Sequence, residues 1–166
     1  MINTIHIEPA TERDVPIILE MIQGLAVYEK LAHECTATEE KLRESLFGAH
    51  PAAEVLIAYA GDEPAGFALF FHNYSTFLAQ RGLYLEDLFV KTEFRGRGIG
   101  RVLLQRLAAI ALQRGCGRFE WTVLDWNEPA IGFYRKLGAI PLDDWTVFRV
   151  TGDALKRLAG HGAGQA

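Results

Sequence analysis

The sequence predicts a mixed α/β protein with a central, mostly antiparallel sheet flanked by helices, in the order β-α-α-β-β-β-α-β-α-β. Three observations carry this. Short runs alternate apolar and polar residues, as half-buried strands do. Longer runs repeat apolar residues at helical spacing. A Gly-Asp-Glu-Pro turn joins two apolar runs into a hairpin. At 166 residues the chain is long enough for one cored domain and short for two. We expect a single domain over residues 1–160 and a flexible tail over 161–166.

Each element follows from its residues. Residues 2–8 alternate, with Ile5 and Ile7 on one face, and read as a strand. The stretch Thr11 to Asp14 then starts a helix in which Val15, Ile18, Leu19, Ile22, Leu25 and Ala26 share a face to about residue 31. A second helix is expected from Thr36, with Thr36 and Glu39 as a capping box, Leu42, Leu46 and Phe47 inward, and Gly48 as its stop. Residues 53–60 and 64–73 form the hairpin strands, and 82–90 a third long strand. A helix carrying Ile99, Leu103, Leu107, Ile110 and Ala111 runs to near Gly115, and residues 118–124 make the next strand. Asn127 caps a short helix with Pro129 in its first turn and Gly138 at its exit. Residues 145–150 read as the last strand, before the frayed tail.

Composition narrows the function classes. With 49% hydrophobic and 23% charged residues, the chain has ordinary globular composition. A net charge of −4 does not suit nucleic acid or an anionic membrane and weakly favours a cationic small substrate. No apolar run is long enough to span a bilayer, so the expected location is the cytoplasm. Cys35 and Cys116 lack a thiol or histidine at metal spacing and are expected to be reduced thiols. The five histidines have no metal-site company either, so no metal is expected. His72 is the one of them that lies in the segment before the third long strand.

The richest motif is Arg95-Gly96-Arg97-Gly98-Ile99-Gly100-Arg101, between a strand and a helix. A P-loop needs a Gly-Lys pair, which the chain lacks. A dinucleotide fingerprint fits Gly96 and Gly98, but Arg101 stands in the third glycine's place. What is left is an anion cradle: glycines allow close backbone approach, and free amides at a helix start favour negative charge. A tight turn with exposed arginines is the bland alternative.

In this setting Arg-x-x-Gly-x-Gly, after "LEDLFV" and before an amphipathic helix, resembles the acetyl-CoA pyrophosphate loop of the GCN5-related N-acetyltransferases. "WNEPAIGFYRKLGA" resembles that superfamily's second signature. "EPATERDV", "LAVYEKL", "YLEDLFV" and "DWNEPAIGFY" together are similar to the diamine branch, the spermidine/spermine and thialysine acetyltransferases. The resemblance runs from about residue 5 to 150. It implies the GNAT fold, a homodimer, and direct acetyl transfer from acetyl-CoA to a primary amine in a ternary complex.

The resemblance also implies roles. Leu88, Phe89 and Val90 border the acetyl group and pantetheine, and Arg95 through Arg101 (with Gly96, Arg97, Gly98, Ile99 and Gly100) hold the diphosphate. Asn127, Pro129 and Ala130 serve the pantetheine arm, and Tyr134 protonates the leaving sulfur. Tyr28, Glu29 and Glu86 bind the amine; for Glu86, amine binding comes first and a base role through water second. A free alkylamine has a pKa of about 10.4, so it must lose a proton to attack. Strict alternation puts Glu86 and Asp87 on opposite faces, so one of them meets the cleft; the resemblance selects Glu86, and the bland alternative for the pair is one surface carboxylate and one structural partner. Glu34 and the Asp143–Asp144 pair align loosely with an acidic pocket. The branch's Asp-Pro-Trp run is replaced by "HNYSTFLAQRG", without an acid until Glu86. Long polyamines thereby lose a partner, and a shorter diamine or lysine-like amine is at least as plausible. Cys116 at the end of the long helix does not suit a nucleophile. Acetylation of protein amines, and a module that only senses acetyl-CoA, are the alternatives.

Overall fold

The computed structural model describes residues 4–161 and falls into two compact units, Met1–Leu124 and Asp125–Ala166. Residues 2–3 of the expected first strand and 162–166 of the expected tail lie outside the described residues.

The first unit holds a five-stranded sheet in the order β1 (Ile5–Pro9), β2 (Glu54–Ala60), β3 (Glu63–Ser75), β4 (Gln80–Val90) and β5 (Phe119–Trp121). Neighbours from β1 to β4 are antiparallel, and β5 runs parallel to β4. Helix α1 (Val15–Tyr28) and helix α2 (Glu39–Phe47) cover one face, burying Ile18, Met21, Leu42 and Leu46 against Val55, Ile57, Phe67 and Phe89. Helix α3 (Ile99–Gln113) packs on β2, β3 and β4. Phe70 alternates with the α1-facing residues, and the Arg114 guanidinium after α3 lies 5.8 Å from its ring, so α3 takes the other face. Between β4 and β5, α3 is the crossover that two parallel strands require.

Helix ends follow local chemistry. A capping box joins Thr11 and Asp14 in the turn that leads into α1. The expected start of α2 at Thr36 is corrected: Thr38 is the cap, its hydroxyl accepting from the Lys41 N–H at 3.3 Å. Thr36 is instead engaged through its carbonyl, which accepts from Lys41 Nζ at 3.0 Å. Helix α1 ends at Tyr28 rather than near residue 31, because Lys30 turns left-handed at φ 62°. The Leu31 N–H then bonds the Ala26 carbonyl and the Lys30 N–H that of Val27, closing the helix as a Schellman motif.

The second unit contains α4 (Glu128–Lys136), capped by Asn127, and α5 (Gly152–Leu158), which the sequence reading did not assign. The strand expected at 145–150 is corrected too: those residues form no strand. Alternation marks two faces, but a strand exists only where a neighbour completes its ladder. No neighbour does so among the described residues, and Trp145, Val147 and Phe148 are exposed. Residues 118–124 likewise shorten to three, for a reason that lies in β4.

Candidate active site

Strand β4 changes character at Glu86. Leu85 stands opposite Phe70 and Asp87 opposite Leu69, so Glu86 is an extra residue without a partner on β3: a β-bulge. The bulge reverses the faces. Leu83 and Leu85 are buried on the α3 side, whereas Asp87 and Phe89 turn to the α1 side. Strict alternation over 82–90, the basis of the expected geometry of the pair, is therefore corrected. A signal for it was present, because the aliphatics slip phase from Leu83 and Leu85 to Leu88 and Val90.

Past the bulge β4 loses its second neighbour. The ladder to β5 pairs Leu83 with Phe119, Tyr84 with Glu120 and Leu85 with Trp121, and stops there. From Leu88 to Val90 the strand is paired only with β3 among the described residues. Its other edge leaves main-chain hydrogen-bonding groups for a ligand.

Three carboxylates gather at the bulge. Glu29 caps the end of α1, where the Schellman turn fixes it. Glu86 is exposed and Asp87 is half-buried. Burial first, then repulsion from nearby Glu86 and Glu29, pushes the Asp87 carboxyl from its ordinary 3.8 up to about 6. Burial also raises the Glu29 carboxyl. The resemblance selects Glu86 of the pair, yet in the fold it is Asp87 whose carboxyl burial pushes well above the ordinary range.

Beyond Val90 the chain makes a short turn and enters the glycine segment. Gly96 has φ 76° and Gly98 φ 82°, values that L side chains rarely adopt. Gly98 caps α3 without a side-chain acceptor, so the first-turn amides have no side-chain cap. Ile99 is buried beneath them and Gly100 lies close to Val90, while Arg101 is exposed. Two of the expected arginines are engaged locally. Arg95 Nε donates to the Val90 carbonyl at 3.0 Å, and its guanidinium sits 4.6 Å above the Tyr28 ring. Arg97 donates to the Glu93 carbonyl at 3.1 Å and covers the Phe94 ring at 5.2 Å. Lys91, at 2.7 Å from Glu20, ties the end of β4 to α1. The structure thus brings together Tyr28, Glu29, Glu86, Leu88, Phe89, Val90 and the glycine turn within the first unit.

In the second unit, Asn127 is buried and its Oδ1 accepts from the Ala130 N–H at 3.4 Å. Pro129 stands in the first turn of α4, and Tyr134 lies near its end, with its ring 5.5 Å from that of Phe133. Among the described residues, no group of three His, Cys, Asp or Glu side chains is placed to hold a metal. No helix among them is long and apolar enough to cross a membrane.

A model of the Acetyltransferase (GNAT) family matches residues 24–139. The chain belongs to that family. Thialysine N-epsilon-acetyltransferase of Sus scrofa is 41% identical over 95% of this chain and 98% of its own length. L-ornithine N5-acetyltransferase of Arabidopsis thaliana is 34% identical over 92% of this chain and 87% of its own. Among solved structures, an integron cassette protein from the mobile metagenome of V. cholerae superposes with a TM-score of 0.80 at 28% identity, covering 93% of this chain and 97% of that one. The chain is an N-acetyltransferase, and it is similar to enzymes of the thialysine type that the motifs resembled.

Proposed function

We propose that this enzyme transfers the acetyl group of acetyl-CoA to a primary amine of a small cationic substrate, a lysine-like amine or short diamine, by direct attack in a ternary complex. One observation carries the reading: Glu29, Glu86 and Asp87 converge where β4 bulges and leaves β5, on the strand that leads to the glycine turn. A cation is attracted to that cluster, and a thioester can lie along the unpaired edge of β4.

The roles follow from the chemistry. The first-turn amides of α3 and the glycine backbone hold the diphosphate. The amine arrives as an ammonium and gives a proton to the cluster, directly or through water. Asp87, with its carboxyl near 6, is a better acceptor than an ordinary carboxylate, and Glu86 assists. The neutral nitrogen attacks the thioester carbon, main-chain N–H groups of Leu88 to Val90 take up the oxygen's charge, and the C–S bond breaks. Tyr134 supplies the proton to the departing thiolate, a role assigned by its place seven residues after Asn127 in the family signature.

The test is free-thiol release from acetyl-CoA with thialysine, ornithine, putrescine, spermidine and a peptide amine. Release that depends on a small amine supports the reading. Coenzyme binding with no amine-dependent release points to a sensing module, and preference for the peptide to a protein acetyltransferase. Tyr134→Phe is expected to lower kcat by roughly 100-fold with little change in acetyl-CoA affinity; unchanged turnover removes Tyr134 from the acid role.

A further inference from the structure

The sheet face that carries Asp87 continues past the end of α1, and there it carries charge. Phe71 stands opposite Tyr84 with rings 5.2 Å apart, Asn73 stands opposite Gly82, and Glu120 of β5 flanks Tyr84 on its other side. By the alternation of β3, Phe71 and Asn73 share the face of Phe67 and Leu69. Asn73 Nδ2 donates to Glu120 Oε2 at 3.0 Å, and Arg118 Nε lies 3.1 Å from the same oxygen. Gly82 makes the arrangement possible: a side chain there would collide with the Asn73 amide and lie 3.2 Å from Arg118 Cγ. Arg118 and Glu120 are not buried, at 39% and 29% exposure, so a ligand can reach both.

This group holds one positive and one negative side chain next to each other, about 7 Å along the sheet from Asp87, because with Glu86 bulged out Asp87 and Tyr84 stand opposite Leu69 and Phe71, two residues at about 3.3 Å each. The tyrosine and phenylalanine rings form an apolar floor along that path. A diamine bound at the Glu29–Glu86–Asp87 cluster would bring its second ammonium to a carboxylate already neutralised by Arg118. An α-amino acid brings a head of both signs, which matches the pair. Its carboxylate fits the flat guanidinium fork and its ammonium fits Glu120.

We propose that Arg118 and Glu120 form a second recognition site, for the α-carboxylate and α-ammonium of an amino-acid substrate whose side-chain amine reaches the carboxylate cluster. The site selects amino acids over the corresponding diamines. It rests on the acetyl-transfer reading above and deepens it.

The experiment compares kcat/KM for thialysine with that for bis(2-aminoethyl) sulfide, the same molecule without its carboxylate. The native enzyme prefers thialysine. Arg118→Gln, and separately Glu120→Gln, are expected to cut the ratio of the two values by roughly 10- to 100-fold, the scale of a lost charge-assisted contact. A native preference for the diamine, or ratios within about twofold of the native one in both variants, would overturn the proposal. So would an equal loss on both substrates, which is what a loosened sheet produces. Absence of thiol release with every amine overturns the acetyl-transfer reading itself, a result distinct from a changed ratio.

Discussion

From Leu83 to Leu85, strand β4 has a neighbour on each side, β3 and β5; from Asp87 to Val90 it keeps only β3 among the described residues. The first stretch is built like the interior of any sheet. Its main-chain groups go into ladders, and Leu83 and Leu85 are almost wholly buried. The second stretch carries the perturbed carboxyl, leads to the glycine turn and leaves one edge open. One inserted residue, Glu86, separates them. The same strand therefore serves as scaffold and as site, and the change is made by register rather than by composition.

The harshest way to break this comparison is to remove the insertion. Deleting Glu86 restores simple alternation, so the residues after Leu85 must exchange faces. Phe89, buried against α1, would leave the core, or Leu83 and Leu85 would. The expected loss is more than about 3 kcal/mol, the scale of removing a large core side chain. Chemical denaturation measures it. Glu86→Ala keeps the extra residue and is expected to stay within about 0.5 kcal/mol of the native protein while weakening amine use. Equal stability of the deletion and the native chain would mean that the bulge does not set the faces.

Asp87→Asn sharpens the contrast from the site's side. The folded protein holds the Asp87 proton up to about pH 6, whereas the unfolded chain releases it near 3.8. Between those values the native state binds more protons, so this group's contribution to stability falls as pH rises through that window. Above pH 6 the charged form destabilises the fold. Asparagine removes that penalty, and the variant is expected to gain about 1–2 kcal/mol at neutral pH, discounted for a half-buried group that can relax. Little or no gain is expected near pH 4. The amine KM should rise in the same variant, and in the native enzyme it should rise as pH falls through about 6. A variant equally stable at both pH values, relative to the native chain, contradicts the assignment.

At the coenzyme end, Gly98→Ala tests the turn with a smaller effect. The position has φ 82° and nothing within 4 Å of where a Cβ would sit, so the free protein meets strain and no clash. The expected destabilisation is about 1–2 kcal/mol. Calorimetry should find acetyl-CoA binding weakened beyond what that strain predicts. Strain without weakened binding would take the diphosphate away from this turn.

The sequence made much of this legible. The helical spacing from Val15 to Leu25, the hairpin turn at Gly61, and Asn127 as the cap of α4 rest on near-neighbour rules and appear in the structure where expected. What escaped depends on distant partners. The alternation in 145–150 carries no information on whether a neighbouring strand is there to pair with it. Glu120 becomes a neighbour of Asn73 only through the parallel register of β5 on β4. Asp87 owes its raised carboxyl to burial, then to adjacent Glu86 and to Glu29, and no local pattern encodes the burial or the proximity of Glu29, which lies 58 residues earlier.

The smallest expected effect concerns the turn that sets Glu29. Lys30 occupies a left-handed position, φ 62°, that Schellman motifs usually give to glycine. Relief of that strain is worth roughly 1 kcal/mol, and the greater freedom of glycine in the unfolded chain offsets about half or more of it. Lys30→Gly is therefore expected to raise stability by up to about 0.5 kcal/mol, whereas Lys30→Ala, which keeps the strain, gains nothing. Thermal unfolding of the two variants side by side decides it. If alanine stabilises as much as glycine, relief of local charge rather than backbone geometry explains the gain, and the end of α1 is held by its packing on β4 rather than by its own turn.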